Sequence, residues 1–254
     1  MPTVIAVAGK GGTGKTTLCG MLIRYLCSKG GHVLAVDADP NSNLNEVLGI
    51  QIETTLGDVR EQIAHAETED GEPLPPGITK QDYAEYMFGS VLAEEDGFDM
   101  LVMGRTQGTG CYCYVNGILK TQIDRYSPTY QWIVVDNEAG MEHISRGTLP
   151  KIDILLLVSD CSRRGIQAAG RLKRMVGDLG LEPGAMGLIV NRAPDGELDP
   201  GVLEEIALQE LVLFGVVPQD EAIYHWDCAG KPVADIPDGS PAKTTLSRIA
   251  DKLF

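Results

Sequence analysis

A nine-residue stretch near the start of the chain restricts its fold and chemistry more than any other feature. Residues 9–17 read G-K-G-G-T-G-K-T-T and lie between an apolar run at 3–8 and a segment whose apolar residues recur at helical spacing. A strand, a glycine-rich loop and a helix in this order match G-x-x-x-x-G-K-[ST], whose backbone N–H groups converge on phosphate oxygens at a helix N-terminus. The sequence therefore predicts a triphosphate site, with Lys15 reaching the β- and γ-phosphates and the Thr16 hydroxyl on Mg²⁺. The predicted nucleotide-binding residues of the loop are Gly9, Lys10, Gly11, Gly12, Thr13, Gly14, Lys15, Thr16 and Thr17.

The same glycines also fit a second motif, the dinucleotide fingerprint G-x-G-x-x-G, through Gly9, Gly11 and Gly14. Asp37 stands at about the distance downstream where that motif has its acidic residue. A dinucleotide loop has no need of Lys-Thr directly after its last glycine, whereas a triphosphate site needs both a positive charge and a hydroxyl that can bind magnesium. The triphosphate interpretation is therefore preferred.

Apolar runs of strand length alternate along the chain with segments of helical periodicity. This alternation predicts an α/β fold, with a doubly wound, mostly parallel sheet of about seven strands flanked by helices. Its ligand crevice should lie at the C-terminal ends of the strands. We expect one P-loop ATPase domain over residues 1–254, with an irregular, acidic insertion at about 66–97. The predicted strands cover residues 3–8, 32–36, 98–103, 131–135, 153–158, 186–190 and 211–217.

The charge balance narrows the possible partners. The chain carries 36 acidic and 21 basic residues, a formal charge of −15, which argues against a nucleic acid partner because phosphate backbones would be repelled. No apolar run has the length of a membrane span, and the N-terminus enters a predicted strand in place of a signal peptide. We expect a cytoplasmic protein with reduced cysteines and no membrane partner. The apolar stripe at 246, 249, 250, 253 and 254 should pack onto the sheet.

Lys10 occupies the first variable position of the loop. Here the chain resembles the deviant Walker A ATPases, whose pattern is K-G-G-x-G-K-[ST]. That family includes the nitrogenase iron protein, septum-site and chromosome-partitioning ATPases, and nickel-insertion ATPases. In it, the extra lysine crosses a nucleotide-sandwiched dimer and touches the ATP of the partner subunit. The resemblance implies a homodimeric ATPase that converts ATP to ADP and phosphate, with Lys10 and Lys15 among its catalytic residues.

Three aspartates follow predicted strands, Asp37 and Asp39 after the second and Asp136 after the fourth. Strand ends of this kind face the ligand crevice of an open α/β sheet. A helix-capping role would explain one of the first two aspartates but not both. By resemblance to the same ATPases, Asp37 supports the magnesium shell, and Asp39, as a catalytic residue, positions or activates the attacking water. Asp136, opposite the loop, is expected to hold Mg²⁺ directly or through water.

Cys111 and Cys113 form a C-x-C pair in a glycine-rich segment. Two thiolates supply half of the ligands that a closed four-coordinate site needs. Two chains that meet across a two-fold axis would bring four sulfurs around one metal, and thiolates favour Ni²⁺ or Zn²⁺ over Mg²⁺. The alternative is a pair of buried cysteines at a helix start. Because the loop at 9–17 implies a dimer, we favour the shared metal site.

The run D-x-E-A-G-x-E-H at residues 136–143 narrows the resemblance when it is combined with the C-x-C pair. Together they resemble the nickel-insertion ATPases that serve carbon monoxide dehydrogenase or acetyl-CoA synthase, the CooC-type family. The resemblance implies an ATP-dependent nickel chaperone with one of these enzymes as its client. Within the run, we prefer a hydrogen-bonded switch network over transient metal contacts for Glu138, Glu142 and His143.

The same resemblance identifies the residues around the base. It implies that Asn191 bonds the adenine edge and that Pro218 and Asp220 flank the adenine. The competing hypothesis for the whole protein is an electron carrier or scaffold of the same ATPase family, which would hold an iron–sulfur cluster with the four sulfurs.

Overall fold

The computed structural model describes residues 1–66, 77–105, 112–140, 149 and 151–254. Its strands are β1 (Thr3–Gly9), β2 (Val33–Asp37), β3 (Ala93–Glu94), β4 (Phe98–Val102), β5 (Trp132–Ala139), β6 (Ile154–Asp160), β7 (Ala185–Ala193) and β8 (Leu213–Pro218). Its α-helices are α1 (Lys15–Ser28), α2 (Leu44–Leu48), α3 (Leu56–Ala66), α4 (Lys80–Gly89), α5 (Tyr112–Tyr126), α6 (Arg163–Asp178), α7 (Pro200–Leu208), α8 (Glu221–Cys228) and α9 (Pro241–Leu253).

The strands form one eight-stranded sheet in the order β3-β4-β2-β5-β1-β6-β7-β8. All neighbouring pairs are parallel except β3 and β4. Every predicted apolar run is a strand, so the α/β fold with a mostly parallel sheet is confirmed. The runs are nearly continuous because helices cover both faces and each face must be apolar. Strand β5 extends beyond the predicted residue 135 to Ala139.

The stretch at 66–97, predicted to be irregular, contains regular structure, and that part of the prediction is wrong. Helix α4 occupies Lys80–Gly89, and Ala93–Glu94 pairs with β4 as an antiparallel edge strand. The helix begins where Thr79 accepts a hydrogen bond from the Asp82 N–H at 3.2 Å and donates its hydroxyl to the Asp82 carboxylate at 2.6 Å. A side-chain cap of this kind fixes a helix start even in a polar sequence. Residues 67–76 lie outside the described part.

The two faces of the sheet bury separate apolar cores because successive strand residues point to opposite sides. The predicted C-terminal stripe is helix α9, and its residues Leu246, Ile249 and Ala250 are buried in one of these cores. Ile249 lies against Gly215 of β8, where an added Cβ would come within 2.3 Å of its Cδ1. The stripe therefore packs onto the sheet, as predicted. Among the described helices, none combines the length and apolar character needed to cross a bilayer.

The arrangement of strands gathers the predicted site at one edge. β1 lies between β5 and β6, and β5 lies between β1 and β2. The register pairs Asp37 with Asp136 and Asp136 with Val7, two residues before the glycine-rich loop. The ends of three adjacent strands thus bring the loop and two carboxylates together, as expected for the crevice of an open parallel sheet.

Candidate nucleotide-binding site

The glycine-rich loop depends on its glycines for both its path and its closeness to the sheet. Gly12 and Gly14 have φ of 80° and 86°, in the left-handed region that side chains disfavour. A Cβ on Gly9 would lie 2.2 Å from the Val158 carbonyl oxygen of β6. Gly14 is the N-cap of α1 and has no side chain to bond the helix N–H groups. The first turn of α1 can therefore bind phosphate oxygens.

The two lysines of the loop occupy different environments. Lys15 is buried, and its Nζ donates to the Lys10 carbonyl oxygen at 3.3 Å. The Thr13 hydroxyl donates to the same oxygen at 2.9 Å. The Lys10 side chain is exposed, in agreement with a lysine that projects out of the loop. Lys15 thus has its charge inside the loop, whereas Lys10 presents its charge to the outside.

Asp37 and Asp136 are buried side by side, Asp37 as the last residue of β2 and Asp136 within β5, three residues before its end. Burial, followed by repulsion from Asp136, raises the pKa of Asp37 to about 7. Burial raises the pKa of Asp136 to about 6, although the Thr16 hydroxyl and the charge of Lys15 lower it in part. Two carboxylates this far from water need a cation to be ionised together.

This pair fits Mg²⁺ held against the loop. Oδ1 of Asp136 is buried and accepts no hydrogen bond within the described residues, while the same side chain is bonded to Thr16. In the described ranges no three His, Cys, Asp or Glu side chains converge on a metal position. Two carboxylates and a hydroxyl are nevertheless enough for Mg²⁺, which usually takes few protein ligands beside water and substrate phosphates. Thr16, Asp37 and Asp136 are the residues that would hold it.

Asp39 lies on a tight turn at the entrance of the crevice. Its N–H donates to Oδ1 of Asp37 at 3.0 Å, and the second oxygen of Asp37 accepts from the Leu44 N–H at 3.0 Å. Oδ1 of Asp39 accepts from the backbone and side-chain nitrogens of Asn41, at 2.8 and 3.1 Å. Asp37 therefore supports the turn that presents the half-exposed Asp39.

Beyond the loop lies a cavity of about 600 Å³, large enough for a base and ribose. Its lining includes Thr17, Asn191, Pro218, Asp220, Tyr224 and His225. All three predicted base contacts thus lie on the wall of the same cavity. Their contacts to adenine remain a prediction.

The polar atoms of Asn191 and Asp220 also have partners within the protein. The Asn191 amide donates to the Thr13 carbonyl oxygen at 2.9 Å, and its oxygen accepts from the Arg192 N–H at 3.0 Å. Asp220 accepts from the Ala222 N–H at 2.9 Å and is bonded to Ser240 at the start of α9. Asn191 therefore ties β7 to the phosphate loop, and Asp220 anchors the cavity wall.

Two further side chains support the loop, Arg192 and Asn137, and no motif in the sequence indicates a role for either. Arg192 has φ of 58°, and its Nη1 donates to the Gly12 carbonyl oxygen at 3.2 Å. Asn137 is buried in β5 and donates to the Val7 carbonyl oxygen at 2.9 Å. Both side chains bond backbone oxygens at or just before the loop. Their positions follow from strand neighbours and not from any local pattern, so no signal in the sequence could have found them.

The predicted metal-binding cysteines stay a prediction. Cys111 lies outside the described residues, as do Glu142 and His143, and Cys113 is described only by its backbone position in the first turn of α5. Glu138 is on β5, close to the end of that strand. Of the other cysteines, Cys19 is fully buried in the core, in agreement with a packing role.

These features define the class of protein: an α/β fold with a phosphate-binding glycine-rich loop, a buried lysine and two paired aspartates on adjacent strands. The chain belongs to the CobQ/CobB/MinD/ParA nucleotide binding domain family, which residues 4–233 match. It is a P-loop protein of the ATP-binding MinD/ParA group, so the resemblance predicted from the loop is confirmed.

Two relatives extend over nearly the whole chain. An uncharacterized ATP-binding protein of Methanocaldococcus jannaschii is 37% identical over 253 residues, which cover 99% of this chain and 98% of the relative. The carbon monoxide dehydrogenase accessory protein CooC of Rhodospirillum rubrum is 32% identical over 250 residues, which cover 94% of this chain and 90% of CooC. CooC is thus a homologue of this protein.

Solved structures agree with the fold. The septum site-determining protein MinD from Pyrococcus horikoshii, complexed with Mg-ADP, superimposes with a TM-score of 0.71 at 22% identity, covering 100% of this chain and 96% of MinD. A ParA family ATPase from Chlorobium tepidum gives a TM-score of 0.75 at 20% identity, covering 100% and 99%. At these identities the likeness shows the fold alone.

Proposed function

We propose that this protein is an ATP-hydrolysing nickel chaperone that supports metal insertion into carbon monoxide dehydrogenase or acetyl-CoA synthase. The observation that carries the proposal is the near full-length relationship to CooC, a carbon monoxide dehydrogenase accessory protein, in a chain that contains a C-x-C pair. In this proposal Cys111 and Cys113 of two subunits hold one nickel ion as cargo. The reducing cytoplasm is the expected compartment, since it keeps such thiols free.

The nucleotide chemistry proposed for the site follows from its charges. The N–H groups at the start of α1 and the ammonium of Lys15 neutralise the phosphates, and Lys10 reaches the nucleotide of the partner subunit. Mg²⁺, when bound by Thr16, Asp37 and Asp136, supplies further charge neutralisation. Asp39 orients the water that attacks the γ-phosphate. Its Oδ1 is occupied by Asn41, whereas Oδ2 accepts no hydrogen bond within the described residues, which leaves that oxygen for the water.

The proposed cycle couples the two ligands through dimerisation. ATP can change metal affinity only if it binds the dimer and the monomer unequally, and nickel must then favour the dimer in return. ATP draws the subunits together and completes the four-sulfur site. Hydrolysis loosens the dimer and lets the ion pass to the client enzyme. Both the shared cysteine site and the client are part of this proposal.

The test is metal stoichiometry in the double variant Cys111→Ser/Cys113→Ser. We expect one Ni²⁺ per two wild-type chains and a dimer fraction that rises with ATP and with Ni²⁺, measured by light scattering. The double variant should bind no stoichiometric Ni²⁺ and should bind ATP as tightly as wild type. Cys228→Ser, which changes an exposed cysteine elsewhere in the chain, is the matched control and should retain the metal.

Several results would contradict the chaperone assignment. One nickel ion per single chain, or unchanged metal binding in the double variant, would rule out the shared site. A dimer fraction that does not respond to nickel would rule out the coupling. A brown, anaerobically purified protein with an iron–sulfur absorption spectrum would instead support the cluster-carrier hypothesis.

A further inference from the structure

We propose that Arg105 is a positioning residue for ATP hydrolysis, acting on Asp39 through the side chain of Asn41. The inference rests on the proposed function, since it takes Asp39 as the group that orients the attacking water. Arg105 follows shortly after β4 and belongs to none of the motifs that identify the nucleotide site. Its connection to the site is made only by the fold.

The three side chains form a continuous hydrogen-bonded chain at the edge of the crevice. The Asn41 amide nitrogen donates to Oδ1 of Asp39 at 3.1 Å. The amide oxygen of Asn41 accepts a hydrogen bond from Nη2 of Arg105. A flipped amide would set its NH₂ against the guanidinium and its oxygen against the carboxylate, and both pairings are unfavourable. Arg105 and Asp39 therefore select one orientation of Asn41 between them.

The backbone on which Arg105 stands is fixed by α3 and the loop before it. The Gly57 N–H donates to the Met103 carbonyl oxygen at 2.9 Å. A Cβ on Gly57 would lie 2.4 Å from the carbonyl oxygen of Arg105, and a Cβ on Gly104 would lie 2.2 Å from Oγ1 of Thr55. The guanidinium thus extends from an anchored backbone and can act as a fixed support.

The turn that carries Asp39 is held from two sides. On the inner side, Oδ1 of Asp37 accepts the Asp39 N–H at 3.0 Å. The turn closes where the Ser42 N–H donates to the Asp39 carbonyl oxygen at 2.9 Å, with Ser42 at a φ of 47°. On the outer side, Asn41 and Arg105 hold the carboxylate itself. Removing the outer support leaves the backbone turn and the Asn41 N–H bond to Oδ1 of Asp39 in place. It takes away the oriented side-chain hydrogen bond to the same oxygen, and so loosens the Asp39 carboxylate without releasing it.

The solvent exposure of the two side chains favours a role in positioning Asp39 over a role in folding stability. Asn41 and Arg105 are both exposed, and hydrogen bonds between exposed polar side chains contribute little to folding stability. Ordering a long arginine side chain also carries an entropic penalty. We therefore expect the contact to affect the rate of hydrolysis more than the melting temperature.

The experiment compares steady-state ATP hydrolysis by full-length variants in the presence of Mg²⁺. Arg105→Ala should lower kcat about fivefold, the effect of one lost hydrogen bond, with KM for ATP within about twofold of wild type. Arg105→Lys keeps a donor and should retain most of the rate. Asn41→Asp accepts from Arg105 but cannot donate to Asp39, so it should be as slow as Asn41→Ala. Arg171→Ala, at an exposed position of α6, is the control and should match wild type.

The double variant Arg105→Ala/Asn41→Ala should be no slower than either single variant, because both changes break one chain. The inference is overturned if Arg105→Ala leaves kcat unchanged, if KM rises in step with a loss of rate, or if the two effects multiply. Asp39→Ala distinguishes a failure of the positioning role from a failure of the proposed function. If Asp39→Ala is inactive and Arg105→Ala is normal, only the positioning role fails. If Asp39→Ala hydrolyses ATP normally, both fail.

Discussion

Replacing Asp136 by asparagine removes a buried charge while leaving the local hydrogen bonds nearly intact. Thr16 is bonded to the Asp136 carboxylate, and an asparagine oxygen can take over that bond. The amide NH₂ would occupy the position of Oδ1, which has no partner within the described residues. In the absence of Mg²⁺ we therefore expect Asp136→Asn to stabilise the protein at pH 8.

The magnitude follows from the pKa of Asp136, which burial raises to about 6. The folded protein binds this proton more tightly than the unfolded chain, whose aspartate has a pKa of about 3.9. Wild-type stability is therefore lost as pH rises from about 4 to about 6 and stays low above that range. The difference between these two pKa values corresponds to roughly 3 kcal/mol. Because the new NH₂ is also unpartnered, we expect a gain of about 1–3 kcal/mol.

The assay is urea unfolding of both proteins without Mg²⁺ or nucleotide, at pH 8 and at pH 5. The gain at pH 5 should be about half of that at pH 8, since the wild-type carboxyl is then mostly protonated in the folded state. With Mg²⁺ and nucleotide added, the wild type should become more stable than Asp136→Asn, because only the wild type has both carboxylates to neutralise the charge of the cation. A variant that is less stable than wild type at pH 8 without Mg²⁺, or a gain independent of pH, would refute the reasoning.

Asp153→Asn is the control of opposite sign. Burial alone would raise the pKa of Asp153, but hydrogen bonds from Lys151 and from the Val4 N–H hold it below its usual value. The ionised form therefore stabilises the fold above the unfolded pKa, and this contribution is lost as pH falls. The variant should be less stable than wild type at pH 8, with a deficit that shrinks in acid.

Two further predictions concern the contacts that hold the phosphate loop. Asn191→Ala leaves the Thr13 carbonyl oxygen without its donor. The variant should lose about 1–3 kcal/mol of folding stability, measured by denaturation, and should bind ADP more weakly, measured by calorimetry. Unchanged ADP affinity would contradict the link between β7 and the loop. Gly9→Ala would bring a Cβ to 2.2 Å from a backbone oxygen and should lower the free energy of unfolding by at least about 1–3 kcal/mol, measured by urea denaturation. The control Gly177→Ala, in open space on α6, should be neutral or stabilising, and equal losses in the two variants would contradict the steric argument.

Local patterns predicted the strands and the phosphate loop because both are short-range features. Each long strand is apolar on both faces, and the loop is a contiguous motif. Strand β3 escaped prediction because Ala93–Glu94 is too short to show a period. Helix α4 had a local signal, the Thr79 and Asp82 capping pair, but it stands next to a run of acidic residues and prolines that indicated a loop.

The supporting contacts of the site could not be predicted in this way. The Asn191 amide meets Thr13 across 178 positions of sequence, and Arg105 meets Asn41 across 64. Such pairs exist because the strand order is not the chain order. The sequence could show that Asp37, Asp39 and Asp136 come just after apolar runs, although Asp37 and Asp136 prove to be part of β2 and β5 themselves. It could not show which neighbours hold their side chains.

The contacts of the site also indicate which segment of the protein should respond first when the bound nucleotide changes. Asp37 of β2 is in register with Asp136 of β5 on one side and with Val102 of β4 on the other, and these strands are buried on both faces. Close-packed cores of this kind do not deform gradually. The turn at Asp39 is different, because it is joined to Asp37 by one N–H hydrogen bond and to Arg105 through Asn41. We therefore expect a change in the charge on Asp37 to act first on this turn, and from there on Arg105, six residues before Cys111 in the chain.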